Sequence, residues 1–294
     1  MFMLLIKGTF RVPADAKPDG DTVPFIPDNV ADWKLVPGCK QIAPKADGRV
    51  SVRLEAVDAL ETHYEGPYGT EQHQPLDFAH RAANELLAWV GFDSVDRHED
   101  ETVATIPESV PGFILTRGAD IYGRCVALVG RGTPPACTGY EVRVDQELLR
   151  KTANFHLISL GLAYPTFYAG FPKELREFLT TTAQQARAAK KGLWADDVDV
   201  TMKGAKVTGM SSITAANGAV MLPKLFRRLK EYLDLKPSEP LLNCFPSYLA
   251  GAGDTFRITS EREEMVGLHR VVEVTNGHTV RMTRQPEEIV FEEK

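Results

Sequence analysis

With 294 residues, 43% of them hydrophobic and 25% charged, the chain has the composition of a soluble globular protein, long enough for one large or two ordinary domains. Its formal charge of −6 excludes a general basic surface of the kind that grips nucleic-acid backbones, so any phosphate contact should be local. The deficit lies entirely in residues 1–197, where 21 Lys and Arg face 27 Asp and Glu.

No run approaches the ~18 apolar residues of a membrane span. The opening Met1-Phe-Met-Leu-Leu-Ile6 is too short and lacks the basic flank of a signal peptide. Cys39, Cys125, Cys137 and Cys244 form no CxxC pair, so neither a zinc site nor a disulfide framework is expected. A reducing, cytoplasmic setting fits these features.

In chain order, Leu4 to Val12 reads as a strand, Pro18-Asp19-Gly20-Asp21 as a turn, and Thr22 to Ile26 as a second strand. Residues 27–49 carry turn residues without periodicity and read as an irregular insertion. Val50, Val52, Leu54 and Ala56 alternate with Ser51, Arg53 and Glu55, the pattern of a half-buried strand. Thr62 to Gln74, rich in Gly, His, Tyr and Glu, reads as a mobile loop. Helical spacing of Leu76, Ala79, Ala83, Leu86, Leu87 and Val90 predicts a helix over 75–90.

Short strands follow over 102–106, 112–116 and 125–129, then helices over 146–160 and 172–191, the last closing at Gly192 behind Lys190 and Lys191. Residues 199–212 read as a linker. The segment 213–294 reads as a small second domain or a packed extension, with an amphipathic helix from Pro223 through Leu225, Phe226, Leu229 and Leu233, whose Arg227, Arg228 and Lys230 form its wet face. Asn276-Gly277 between two alternating runs predicts a hairpin. Five short strands with three helices indicate an α+β fold built on a small closed barrel.

The chemistry concentrates where the strand from Val50 should end. There Arg53, Asp58 and Glu61 gather at one tip, a set suited to phosphate: acids to hold a cation, a guanidinium to meet the oxygens. On a straight strand Arg53 and Asp58 would lie ~17 Å apart at ~3.3 Å per residue, so they can share one phosphate only if the strand coils sharply.

Asp19-Gly-Asp-Thr-Val23, Arg53-Leu-Glu-Ala-Val-Asp58-Ala-Leu-Glu61 and Asp120-Ile-Tyr-Gly-Arg124 stand in order, followed by Asn154, Gly161-Leu-Ala163 and Gly192-Leu-Trp194. As a set they resemble the staphylococcal nuclease (thermonuclease) family over residues 4–197. The resemblance implies a five-stranded OB-type barrel with three helices. It also implies hydrolysis of DNA, preferentially single-stranded, or RNA at the P–O5′ bond, leaving 3′-phosphates. By the same resemblance Asp21, Asp58 and the carbonyl of Ala59 would bind one Ca²⁺, with Asp19 and Thr22 behind them. Arg53 and Arg124 would hold the scissile phosphate, and Glu61 would orient or deprotonate water. Tyr122, Phe167 and Tyr168 would contact substrate.

Ala59-Leu60 departs from the family's Thr-Pro, Ile121 from a frequent Lys, and Ala169 from a second tyrosine. A relative that has lost catalysis and serves as a binding or scaffold module is the alternative. As a third possibility, residues 213–294 could recruit or restrain the nuclease through a protein partner.

Overall fold

The computed structural model describes residues 1–38, 40–235, 241–261 and 263–292; Cys39 lies outside them. Five strands close on themselves. Phe2–Arg11 pairs antiparallel with Thr22–Pro27 on one side and with Ser109–Ala119 on the other. Val50–Leu54 continues antiparallel from Thr22–Pro27, placing Thr22 opposite Arg53. Cys125–Arg131 then lies parallel to Val50–Leu54 and antiparallel to Ser109–Ala119, which completes the barrel. A short strand, Glu141–Arg143, adds to the outside of the first.

Alternation drives the closure. Val50, Val52 and Leu54 point into the core while Ser51 stays exposed. The strands anticipated over 112–116 and 125–129 run further at both or one end because their flanks still find ladder partners.

Three helices pack against the barrel as anticipated, with one change. Leu76–Val90 and Lys173–Ala188 are continuous, but the stretch 146–160 divides into Gln146–Arg150 and Ala153–Ser159. The division falls at Thr152, whose hydroxyl accepts from the Phe155 N–H and caps the second helix. Capping places Asn154 where its side chain is wholly buried and bonded three ways. Its Nδ2 donates to the carbonyls of Glu55 (2.8 Å) and Ala127 (3.2 Å), and its Oδ1 accepts from the Val129 N–H (2.9 Å).

The region 27–49 is not wholly irregular: Val30–Leu35 forms a 3-10 turn whose Trp33 is buried edge-on to Phe25 and donates to the Gly48 carbonyl. The described residues after 198 are woven into the same core. Ala205–Lys206 pairs with Thr279–Met282, and Ile289–Phe291 pairs in parallel with Phe167–Tyr168. Arg187 makes a two-nitrogen ion pair with the buried Glu287 (2.8 and 3.2 Å). The hairpin at Asn276-Gly277 forms with both residues at positive φ and Thr275 opposite Thr279. Pro223–Leu235 is the anticipated helix, and it buries Leu225, Phe226, Leu229, Tyr232 and Leu233. No helix of the described residues is long and apolar enough to cross a membrane.

Removing the Asn154 carboxamide leaves buried backbone groups unpaired at about 1–3 kcal/mol each. Asn154→Ala is therefore expected to lower stability by at least ~2 kcal/mol in urea unfolding; a loss under ~0.5 kcal/mol would show that the carboxamide does not hold the barrel wall to its helix.

Candidate functional site

The strand that begins at Val50 does not run straight to Glu61. After Leu54 the chain turns at Ala56, which takes a left-handed φ of 63°, and resumes as a second short strand, Val57–Ala59. The Glu55 N–H donates to the Ala127 carbonyl and the Glu55 carbonyl accepts from Asn154, so the turn is pinned on both sides. This break supplies the coil that a shared site requires. Arg53 Nη2 comes within 3.8 Å of Asp58 Oδ1.

The turn before the second strand is brought to the same place. The Asp21 carbonyl accepts from the Leu54 N–H (2.8 Å), and Thr22 donates its hydroxyl to Asp21 Oδ1 (3.0 Å). Gly20 is required by close approach: a Cβ there would lie 2.7 Å from the methyls of both Ala59 and Ala82. Asp19 accepts from the backbone N–H (2.9 Å) and hydroxyl (2.7 Å) of Thr62, which fixes the residue next to Glu61. Burial, reinforced by the charge of Asp21, pushes the Asp19 carboxyl up to about 7, against the Thr62 bonds that lower it.

These residues border one cleft of about 720 Å³, lined by Asp19, Asp21, Arg53, Glu61, Tyr122 and Arg124 from the barrel side. Arg124 donates through Nε to Asp120 (2.7 Å), which also accepts from the Tyr122 and Arg124 N–H groups, so the guanidinium is aimed from a closed turn. Tyr122 is 79% exposed with Arg124 over its ring, an open platform at the rim. Tyr168 is half-buried beneath Arg53 (5.6 Å). Phe167, expected beside it at the substrate, is instead wholly buried and stacked on Phe171; it offers no face to a base.

The opposite wall was not anticipated. It is the helix Pro223–Leu235, which brings Lys224, Arg227, Arg228 and Glu231 to the cleft. The expected wet face is thus turned inward. Arg227 Nη2 donates to Asp58 Oδ1 (3.1 Å) and Oδ2 (3.3 Å), and Nη1 donates to Glu61 Oε1. Arg228 forks onto Asp254 (2.8 and 3.0 Å) and reaches Glu231 (2.9 Å). Lys230 is fully buried; it donates to the carbonyls of Glu65 and Tyr68 (2.7 Å) and pairs with Asp234.

The same helix orders the loop 62–74, which the sequence presents as mobile: Tyr64 donates to Glu231 (2.7 Å), and Lys230 ties down Glu65 and Tyr68. Gln74 links the two walls, accepting from the Glu61 N–H (3.2 Å) and donating to the Met221 carbonyl (2.8 Å).

Burial raises the Glu61 carboxyl above the ordinary carboxylate range. Arg227 pulls it back, and the charges of Asp19, Asp21 and Asp58 add to the rise. Asp21 and Asp58 offer the hard oxygens that a divalent cation favours. Yet both Asp58 oxygens face Arg227, with Arg53 behind. Among the described residues no three His, Cys, Asp or Glu side chains are grouped to hold a metal. With Arg227 in place the residues do not fit Ca²⁺.

Residues 51–196 match the staphylococcal nuclease homologue family, so the chain carries a domain of that family. Its closed five-stranded barrel with packed helices is the fold that this membership entails. Nucleases of this family typically use Ca²⁺. No curated protein matches the chain. The matched span leaves out Asp19 and Asp21 before it and Arg227 after it.

Ala56 holds a left-handed backbone that a β-branched residue tolerates poorly. Ala56→Val is expected to cost about 1–3 kcal/mol in denaturant unfolding. Wild-type stability in that variant would show that the turn does not depend on this conformation.

Proposed function

We propose that the protein is a phosphodiesterase of the nuclease type, acting on single-stranded or melted DNA and on RNA. The observation that carries this reading is the convergence of Arg53, Arg124 and Glu61 on one cleft. Two guanidiniums present forked donors to the non-bridging oxygens of a phosphodiester and favour the extra negative charge of the pentavalent transition state. Glu61, at the cleft wall, accepts a hydrogen bond from water and aims its oxygen at phosphorus in line with O5′. The new P–O bond forms as the P–O5′ bond breaks. The water's proton goes to Glu61 or solvent and the departing O5′ is protonated, which leaves a 3′-phosphate and a 5′-hydroxyl.

The dimensions of the cleft favour single strands. A volume of about 720 Å³ is suited to one or two nucleotides, with Tyr122 at the rim able to stack on a base. Lys224, Arg227 and Arg228 join Arg53 and Arg124 at the cleft, so cations are concentrated there beside the acids Asp19, Asp21, Glu61 and Glu231 although the chain as a whole is acidic.

A second reading, a nucleic-acid-binding module without turnover, is favoured by one observation. Glu61, which would have to receive the water, already accepts from Arg227.

Incubating the full chain with end-labelled single-stranded DNA and RNA tests these readings. Cleavage to 3′-phosphate ends is expected, and Arg53→Ala or Arg124→Ala should each lower the rate ~10²–10³-fold. Binding without cleavage by the wild type would hand the site to the second reading.

The pH profile tests Glu61 separately. It must be ionised to accept a proton, and its carboxyl is raised, so the rate should climb with pH through a midpoint well above the ~4.3 of a free glutamate. A midpoint at or below ~5 would remove Glu61 from the role.

A further inference from the structure

The hydrolytic step above gives no role to Arg227, although it is the side chain most deeply engaged with the cleft's acids. Its two terminal nitrogens serve two carboxylates contributed by the turned strand, Asp58 and Glu61. Asp58 is wholly buried, so both of its oxygens face guanidinium nitrogens rather than water. A divalent cation drawn to the same oxygens would stand within a few ångströms of two fixed positive groups, Arg53 and Arg227, and be repelled by both.

The guanidinium is held there by structure on every side. The helix that carries it buries Leu225, Phe226 and Leu229 around its position. Arg228, the next residue, is locked onto Asp254. One turn before it, Lys224 lies over the Phe291 ring (4.4 Å) and pairs with Asp254 (3.3 Å). Gln74 bonds the backbone of Glu61 to that of Met221 just ahead of the helix, so acid and arginine are carried on walls tied to one another.

We infer that Arg227 is the resident cation of this cleft: its guanidinium holds Asp58 and Glu61 together in place of a divalent ion, and the cleft takes up nucleic-acid phosphate without metal. The second half of this inference rests on the phosphodiester reading above; the first half rests on the ion pairs alone. Arg227 then acts as a positioning residue. It sets the charge and the direction of Glu61 while Arg53 and Arg124 remain to receive the phosphate.

Ca²⁺ alone is titrated calorimetrically into the full-length wild type, Arg227→Ala, Asp58→Asn, and Arg227→Ala combined with Asp58→Asn, with thermal unfolding followed in parallel. The wild type is expected to give no binding heat up to ~1 mM Ca²⁺ and no Ca²⁺-dependent rise in Tm. Arg227→Ala is expected to gain a Ca²⁺ site at least ~10-fold tighter, which the added Asp58→Asn removes. Sub-millimolar Ca²⁺ binding by the wild type that Asp58→Asn abolishes would overturn the inference, and this result can be read even if Arg227→Ala does not fold.

In a second arm, a single-stranded oligonucleotide is titrated by anisotropy in EDTA and in Ca²⁺. Equal affinity in both supports the inference; binding that appears only with Ca²⁺ contradicts it. Binding in neither strikes the phosphodiester reading and leaves the Ca²⁺ titration to decide on Arg227.

Discussion

Four carboxylates, those of Asp19, Asp21, Asp58 and Glu61, are crowded into one wall of a barrel, and Asp58 is sealed from water altogether. Such a cluster cannot persist as anions in a poorly solvated place without fixed positive charge beside it. The rest of the site follows from how that charge is supplied. Arg53 reaches back from the same strand because the chain turns at Ala56, and Arg227 reaches in from a helix 169 residues beyond Asp58 in the chain. The segment after residue 198 is therefore part of the site, and its helix is also what orders the loop that follows Glu61.

This arrangement reconciles an acidic chain with the phosphate cleft we propose. The barrel contributes two guanidiniums that answer to carboxylates of their own: Arg53 to Asp58, and Arg124 to Asp120. The helix contributes Lys224, Arg227 and Arg228, each braced by an acid. A phosphate entering such a lattice exchanges one set of charge-assisted bonds for another, which favours selectivity for a defined phosphate geometry over indiscriminate affinity.

Much of the barrel and half of the candidate site can be read from the sequence because their signals are local. Alternation from Val50 to Leu54, helical spacing from Leu76 to Val90, and Asn276-Gly277 each speak of residues a few positions apart. Arg53, Asp58, Glu61 and Arg124 sit at strand ends, where a short motif suffices to mark them. The break at Thr152 is not legible in the same way, because the apolar spacing continues across it and reads as one helix.

What escaped was the long-range part. Apolar positions at Leu225, Phe226, Leu229 and Leu233 imply one buried face and a solvated remainder, yet this helix is covered on two sides, by the core and by the cleft. Nothing near Arg227 in the chain reveals that its partners are Asp58 and Glu61. Phe167 misled in the opposite sense: an aromatic beside a site can stack on substrate or on Phe171, and periodicity does not distinguish the two.

Arg227 is inferred to supply the charge on which the buried carboxylates depend. A double-mutant cycle with Arg227→Met and Asp58→Asn, followed by urea unfolding in EDTA, measures that dependence directly. Arg227→Met alone is expected to cost about 3–5 kcal/mol, and adding Asp58→Asn to recover at least ~1.5 kcal/mol of it. Losses that simply add, within ~0.5 kcal/mol, would mean that Arg227 and Asp58 are neighbours without mutual dependence.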